Sequence, residues 1–286
     1  MTVVDIKKLS PKNFPPLLLE IPDAPKTLYL RGELPTPVTK LLTVVGSRHM
    51  SRYGKEVCEH LIQGLEGYPV AIVSGLALGI DGVAHSTALK VGLQTIAVPG
   101  SGLSDDVLYP RTHLYLAREI LDAGGALLSE MEPDERATPY SFPKRNRIMA
   151  GMSHATLIIE ATEKSGTLIT ARLASDYSRD LLVVPHSIFS DGGSGGHQFL
   201  KLGALPVRSA LDILSAISIE PEGSKITEQQ SLTGDEVRVL SHLREPYERD
   251  DLIRTLDMKT SDANILLAHM EMRGLIVESM GEIRRA

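Results

Sequence analysis

From residue 41 onward, short apolar runs alternate with amphipathic stretches of helical length. Residues 55–65, for example, carry Val57, Leu61 and Leu65 at a four-residue spacing that indicates a helix. Apolar strands that alternate with helices are typical of a parallel sheet covered on both faces. The pattern predicts an α/β fold: an extended, Rossmann-like, doubly wound and mostly parallel sheet over residues 41–217. The predicted strands are Leu41–Val45, Val70–Val73, Gln94–Val98, Ala126–Leu128, Ala155–Glu160 and Leu181–Val184.

The flanking segments have different patterns. Seven prolines punctuate residues 1–40, which predicts an extended lead-in with at most short elements and a strand at residues 27–30. Residues 218–230 are polar and indicate a linker. Residues 231–286 predict short helices, the last of which ends at Gly274, followed by a hairpin around Met280-Gly281. This outline is that of a small winged-helix-like domain, although short helical bundles share most of the pattern.

The composition indicates a cellular compartment and limits the ways in which the protein could bind nucleic acid. Hydrophobic residues make up 42% and charged residues 23% of the 286 positions, as in ordinary globular proteins. No signal peptide or membrane span is visible, and the single cysteine, Cys58, fits a reducing compartment, so we expect a cytoplasmic protein. The formal net charge of −6 does not suit a protein that coats nucleic acid by bulk positive charge. A nucleic-acid site would have to be a local basic patch.

Small residues follow four of the predicted strands. These loops are Gly46-Ser47-Arg48, residues 74–81 with Gly75 and Gly79, residues 99–103, and residues 165–170. In a parallel sheet they meet at the carboxyl edge, where backbone N–H groups and helix N-termini attract anions. Any one loop alone is better explained as an ordinary turn, and four on one edge predict a phosphate site. P-loop and dinucleotide fingerprints are missing, which argues against a P-loop NTPase or an ordinary dehydrogenase.

A basic segment follows Phe142, in a chain with four phenylalanines and no tryptophan. It comprises Lys144, Arg145, Asn146 and Arg147. Cations beside a stacking ring are the combination that single-strand binding uses. The alternative is a solvated helix start with the ring packed into the core, and this segment alone leaves both interpretations open.

The motifs, taken in order, resemble those of the DNA-processing protein A (DprA/Smf) family. The resemblance covers most of residues 20–215 and implies a protein that binds single-stranded DNA, without catalysis, cofactor or metal. It also implies a homodimer and a role in loading RecA during natural transformation. The motifs that carry it are Gly46-Ser47-Arg48, residues 74–81 with Ala84-His85, residues 106–110, residues 128–130, Phe142 with residues 145–147, and residues 165–171.

By motif position, the resemblance also implies a set of single-stranded DNA-binding residues. The first loop would hold a phosphate, Phe142 would stack on a base, residues 144–147 would line the groove, and Gly166 and Thr167 would offer donors. One departure concerns residues 184–186, where Val-Pro-His stands in place of the family's Val-Pro-Gly and puts that loop's geometry in doubt. The implied residues are Gly46, Ser47, Arg48, Gly75, Gly79, Phe142, Lys144, Arg145, Asn146, Arg147, Ser165, Gly166 and Thr167.

A second hypothesis is a nucleotide-processing enzyme related to the lysine-decarboxylase-like phosphoribohydrolases. Glu130 and Glu160 could act there as acid or base, but we favour structural carboxylates that pair with Arg145 or Arg147. The glycine loop at residues 166–170 lacks the carboxylate that those enzymes carry.

Two weaker features remain. Asp81 and His85 have a metal-ligand spacing but no visible third ligand, so we expect a helix-start aspartate with a surface histidine. The acidic C-terminal segment suits a protein contact or self-contact better than a DNA backbone.

Overall fold

The computed structural model describes residues 5–220, 233–243, 245–256, 258–279 and 281–285. They belong to two compact units, Met1–Pro221 and Glu222–Ala286. Among the helices in these ranges, none combines the length and the apolar character needed to span a bilayer.

In the described part of the first unit, nine strands form one sheet in the order β1-β2-β6-β5-β4-β3-β7-β8-β9. All neighbours from β6 to β9 pair in parallel, whereas β2 is antiparallel to both β6 and β1. The prediction of a mostly parallel sheet is confirmed. The strands are β1 (Lys7–Leu9), β2 (Leu28–Gly32), β3 (Lys40–Val45), β4 (Val70–Ser74), β5 (Thr95–Ala97), β6 (Ala126–Ser129), β7 (Ala155–Ile158), β8 (Asp180–Val183) and β9 (Leu205–Pro206).

Helices cover both faces of this sheet. Strand β3 shows the arrangement, because Leu41 and Val45 pack into one core cluster while Leu42 and Val44 pack into another. Cys58 is fully buried in the second cluster, as a packed small side chain. The helices of this unit are α1 (Arg52–Gln63), α2 (Ile80–Lys90), α3 (Leu114–Asp122), α4 (Ser141–Met152), α5 (Thr167–Asp176), α6 (Asp191–Lys201) and α7 (Ala210–Ala216).

The lead-in belongs to the sheet. Its strand β2, predicted at residues 27–30, pairs along β6, and β1 adds a further strand outside it. Helix α1 begins earlier than its apolar spacing indicates because Ser51 caps it, accepting the N–H of Gly54 at 3.0 Å. The lead-in is therefore an extended segment that completes one side of the sheet.

The second unit contains α8 (Gly234–His242), α9 (Arg249–Thr255) and α10 (Thr260–Met272). Strands β10 (Tyr247–Glu248), β11 (Ile276–Ser279) and β12 (Glu282–Arg285) form an antiparallel sheet in the order β10-β12-β11. The expected last helix and hairpin correspond to α10 and β11–β12, while Met280 lies outside the described residues. The winged-helix assignment stays a prediction, and most of the predicted linker 218–230 also lies outside the described residues.

Candidate functional site

The loops at the carboxyl edge of β3, β4 and β7 surround a cavity of about 660 Å³ together with the start of α4. We refer to it as the carboxyl-edge cavity. Nine of the thirteen residues implied by sequence line it, so the residues predicted to share one groove largely do so. These nine are Gly46, Ser47, Arg48, Phe142, Arg145, Asn146, Ser165, Gly166 and Thr167.

Two glycines allow the first loop to pack closely against the start of α2. A Cβ on Gly46 would lie 2.5 Å from the Ile80 side chain, and one on Gly79 would lie 2.2 Å from the Ser47 carbonyl oxygen. Gly79 also has φ of +78°, which favours glycine. Ile80 donates its N–H to that same carbonyl at 3.1 Å. Gly79 is therefore a packing residue behind the loop and does not line the cavity, and its contact with DNA stays a prediction.

Arg48 is the solvent-facing cation of the cavity. Its side chain forms no ion pair with any carboxylate of the described residues, and its guanidinium carbon lies 5.3 Å from the centroid of the Phe142 ring. The backbone N–H groups of Ser47 and Arg48 likewise donate to no acceptor in the described ranges. A cation and two free N–H groups at one corner are suited to an anion such as phosphate.

Phe142 is half-buried and stands at the cavity wall. A Cβ on Gly100 would lie 2.5 Å from its Cδ1 atom, so the ring leans on a loop that has no side chain there. The Tyr109 ring packs against it with centroids 5.6 Å apart, and Arg48 approaches it as well. The ring is held from behind and still lines the cavity, which is not the fully packed position of a core residue.

Arg145 is a buried cation beneath the cavity, with 7% of its surface exposed. Its guanidinium occupies the space where a Cβ on Gly75 would stand, since that atom would lie 1.5 Å from Nη1. Gly75 is therefore a seat for Arg145 that lines only a small adjoining pocket, and not the main cavity. Burial lowers the pKa of Arg145 to about 10, while the charge of Asp81 opposes that shift. The side chain is therefore still charged at neutral pH.

Asp81 connects this cation to the second loop. It lines the cavity, is 6% exposed, and accepts the N–H groups of Gly75 at 3.1 Å and Ala77 at 3.3 Å. Burial raises its pKa, whereas Arg145 and the two N–H groups lower it. The carboxylate thus holds the loop and faces the buried guanidinium.

Asn146 is 9% exposed, lines the cavity, and has no hydrogen-bond partner for its amide among the described residues. Neither the oxygen nor the nitrogen of this amide is fully enclosed, so both can be reached from outside the protein. It is therefore available to hydrogen-bond a molecule in the cavity.

The third loop leads into α5. Thr167 donates its hydroxyl to the Gly46 carbonyl at 3.1 Å, which ties this loop to the first. Ser165 donates to the Thr167 hydroxyl at 2.9 Å and accepts the Thr167 N–H at 3.2 Å. A Cβ on Gly166 would meet no atom within 4 Å, so the space beside the start of α5 is open, while the N–H groups of residues 167–169 donate within the loop. The partial positive charge of this helix end favours an anion.

Two predicted cations do not line the cavity. Arg147 donates to both carboxylate oxygens of Glu130, at 2.8 and 2.7 Å, and also contacts Asp23, with its side chain 10% exposed. This ion pair turns Arg147 away from the cavity, and its contact with a strand stays a prediction. Lys144 also pairs with Glu130, at 3.3 Å, but its side chain is 57% exposed, so its contact with a strand stays a prediction.

The carboxylates considered as acid or base are engaged elsewhere. Glu130 pairs with Arg147, as expected, but Glu160 accepts from the N–H and hydroxyl of Ser51 and from no arginine of the described residues. His85 is fully buried and bonds Thr95 through Nδ1 at 2.7 Å, so the expectation of a surface histidine is wrong. Among the described residues, no group of three potential metal ligands comes together.

Sequence reasoning missed some of the cavity wall. Thr162, Ile169 and Thr170 line it because the loop after β7 and the first turn of α5 both face inward. The repeat of small and hydroxyl residues through position 170 was the available signal. The role of Asp81 could not be predicted from the sequence, because it depends on the burial of Arg145, which only the tertiary structure determines.

Comparison with known proteins identifies relatives. The family model described as DNA recombination-mediator protein A matches residues 6–218. The protein Smf of Escherichia coli K12 is 43% identical over 201 residues, which make up 70% of this chain and 53% of that protein. The chain therefore matches about half of the length of that relative.

Two solved structures are similar over most of the chain. The X-ray structure of DNA processing protein A from Streptococcus pneumoniae has a TM-score of 0.69 and 39% identity, and the match covers 74% of both chains. DNA processing protein A from Helicobacter pylori has a TM-score of 0.66 and 29% identity, covering 76% of this chain and 97% of that one. The latter structure was described for its single-stranded DNA binding mode.

Proposed function

Because this chain belongs to the DNA recombination-mediator protein A family, we propose that it binds single-stranded DNA in the carboxyl-edge cavity. The observation that carries the proposal is the convergence of Arg48, Phe142 and Thr167 on one cavity, from three separate segments of the chain. The single-stranded DNA binding mode described for the Helicobacter pylori relative supports the same ligand.

Each part of the cavity matches a part of a nucleotide. The Arg48 guanidinium, the free N–H groups of the first loop and the open end of α5 suit a phosphate. The Phe142 ring offers a stacking surface for one base, and the Asn146 amide can donate to and accept from groups on a base or sugar.

A single strand fits this chemistry better than a duplex. Stacking on a ring requires a base whose face is free, which paired and stacked bases do not offer. The net charge of −6 restricts attraction for DNA to the local patch, whereas duplex binders usually neutralise many phosphates at once.

Fluorescence anisotropy tests the proposal directly. Labelled oligothymidine and a duplex of the same length are titrated with the protein at several salt concentrations. We expect tighter binding of the single strand and an affinity that falls as salt rises, because phosphate contacts release counterions. Equal affinity for duplex and single strand, or no binding of either at low salt, would overturn it.

We also propose that the protein acts on DNA without catalysis, since Glu130 and Glu160 are bound to partners of their own. Incubation of the pure protein with nucleoside monophosphates should release no free base. Release at a rate that Glu130→Gln or Glu160→Gln abolishes would establish the enzyme hypothesis in its place.

We propose further that the chain forms a homodimer in the cytoplasm. Around the sheet-edge strand β9, Leu202 is 80% exposed, Leu205 47% and Leu211 58%. Apolar side chains concentrated at a sheet edge suit a contact with a second copy. Light scattering at micromolar concentration should give the dimer mass, and Leu205→Glu should shift it toward the monomer. A wild-type monomer would refute the proposal.

Loading of RecA follows as a proposal from family membership. A recombination mediator is expected to bind the recombinase as well as the strand. RecA filament formation on single-stranded DNA should be faster with the protein than without it, and Arg48→Ala should remove the acceleration. Unchanged RecA kinetics with a protein that binds the strand normally would exclude the loading role.

A further inference from the structure

The loop between β8 and α6 carries two large apolar side chains that face solvent. Ile188 is 83% exposed and Phe189 is 92% exposed. Of the four phenylalanines, Phe14 and Phe199 are in the core and Phe142 lines the carboxyl-edge cavity. Adjacent exposed apolar residues of this size are typical of a contact site. The packing of the fold therefore explains three of the rings and leaves Phe189 without a role.

The base of this loop is firmly attached to the rest of the unit. Tyr53 donates its hydroxyl to the Pro185 carbonyl at 3.0 Å, and His186 donates through Nε2 to the Ile159 carbonyl at 2.8 Å. The rings of Tyr53 and His186 pack edge to face with centroids 4.9 Å apart. His186 is also not among the residues with positive φ, so it replaces the family's glycine without backbone strain.

The tip of the loop is a closed turn. The Ser190 N–H donates to the Ser187 carbonyl at 3.0 Å, and the Phe189 N–H donates to the Ser187 hydroxyl at 3.3 Å. Asp191 follows at the start of α6, so the tip offers an aromatic ring and no cation. The backbone that carries the ring is held in a turn before any partner binds, which reduces the entropy lost on binding.

This tip lies next to the cavity along the same edge of the sheet. Strand β8 pairs with β7, and β7 pairs with β3, so the β8 loop is two strand spacings, roughly 10 Å, from the first loop. Tyr53, 44% exposed, lies in the first turn of α1, which directly follows that first loop. The loop after β7 connects the two places, because Gly195 of α6 packs against Thr162, which lines the cavity.

We propose that Ile188 and Phe189 form a second stacking platform for the single strand, next to the carboxyl-edge cavity. The inference rests on the proposed function and extends it to a longer path. One base stacks on Phe142 in the cavity, and the strand continues along the edge, past Tyr53, to place another base on Phe189. The platform acts through ring contact, so its contribution does not depend on salt.

The test compares short and long oligothymidines, of about 2 and about 20 nucleotides, because two nucleotides are too short to cover the roughly 10 Å between the first loop and the β8 loop. Phe189→Ala should weaken binding of the long oligothymidine by about 5- to 10-fold, which is the lower part of the range for stacking one base on a ring. Its affinity for the short oligothymidine should be unchanged. Phe189→Tyr should bind the long oligothymidine with wild-type affinity, whereas Phe189→Leu should bind it more weakly than the wild type does. The salt dependence should not change in any of these variants.

Val38→Ser is the matched control, because Val38 is 77% exposed in the loop before β3, at the opposite edge of the sheet. It should bind both oligothymidines as the wild type does. If the wild type binds both lengths and Phe189→Ala binds them with the same affinities, the platform is refuted while the proposed function stands. If the wild type binds neither, the proposed function itself fails. A change of mass in light scattering with unchanged DNA affinity would instead assign the tip to a protein contact and overturn the inference.

Discussion

Gly75→Ala is the substitution for which the structure predicts the most specific result. The new Cβ would lie 1.5 Å from Nη1 of Arg145, 2.4 Å from Cζ and 2.6 Å from Nη2. A normal contact needs about 3.5 Å, so the guanidinium has to retreat by roughly 2 Å. Gly75 is not among the residues with positive φ, so its backbone accepts alanine without strain. The whole effect therefore comes from displacing Arg145.

The expected magnitudes follow from that displacement. Crowding of this kind costs about 1–3 kcal/mol, and alanine returns about 0.4–1 kcal/mol by restricting the unfolded chain. We expect the free energy of unfolding to fall by about 1–2 kcal/mol in urea denaturation. Because the buried cation no longer lies beneath the cavity, oligothymidine binding should weaken by about tenfold, and the slope of log K against log salt should become shallower by about 0.7.

A double-mutant cycle isolates the contact. In an Arg145→Met background the obstructing guanidinium is gone, so Gly75→Ala should cost less than about 0.5 kcal/mol, a coupling of about 1 kcal/mol or more. Gly166→Ala is the control for stability, because a Cβ there meets no atom within 4 Å, and it should cause no loss. If Gly75→Ala is equally costly with and without Arg145, displacement of the guanidinium is not the cause of the cost.

Three further predictions concern other residues. Arg48→Ala should weaken oligothymidine binding and make its salt slope shallower by about 0.7, as measured by anisotropy, and an unchanged slope would exclude a phosphate contact. Phe142→Ala should cost about 1–3 kcal/mol of binding with the slope unchanged, and a large change of slope would show an ionic role. Burial lowers the pKa of His85 to about 3, with His113 acting in the same direction, so the unfolded chain takes up a proton that the folded one does not. The free energy of unfolding, measured by urea denaturation, should thus fall as pH drops from about 6.5 toward 3, by up to about 1.4 kcal/mol per pH unit. His85→Gln should make this pH dependence weaker. An equally steep pH dependence in the variant would contradict the assignment to His85.

The parts of the fold that sequence predicts are those governed by local pattern. Strands β3 and β4 are apolar apart from Lys40, Thr43 and Ser74, and their apolar side chains pack into both core clusters. A parallel sheet covered on both faces could therefore be predicted from the run of residues alone. The antiparallel pairing of β2 with β6 could not, because it joins segments about a hundred residues apart and no local signal specifies the partner.

The same division holds for the site. Small-residue loops after parallel strands meet at one edge by geometry, so the convergence of Gly46 and Thr167 was predictable. The contacts of the consecutive cations in α4 could not be predicted, because neighbouring positions of a helix can point to different sides. Arg145 and Asn146 face the cavity, whereas Arg147 turns toward Glu130. Which cation is free depends on where the carboxylates lie, and only the tertiary structure shows that.

Photo-cross-linking can locate a bound single strand on the protein. An oligothymidine with photoreactive thymine analogues is bound to the full chain, irradiated, and the attached residues are identified by mass spectrometry. We expect attachment at the wall of the carboxyl-edge cavity, mainly at Phe142 and the segments 46–48 and 165–167, and loss of that attachment in Arg48→Ala. Attachment confined to the opposite edge of the sheet or to the second unit would contradict it.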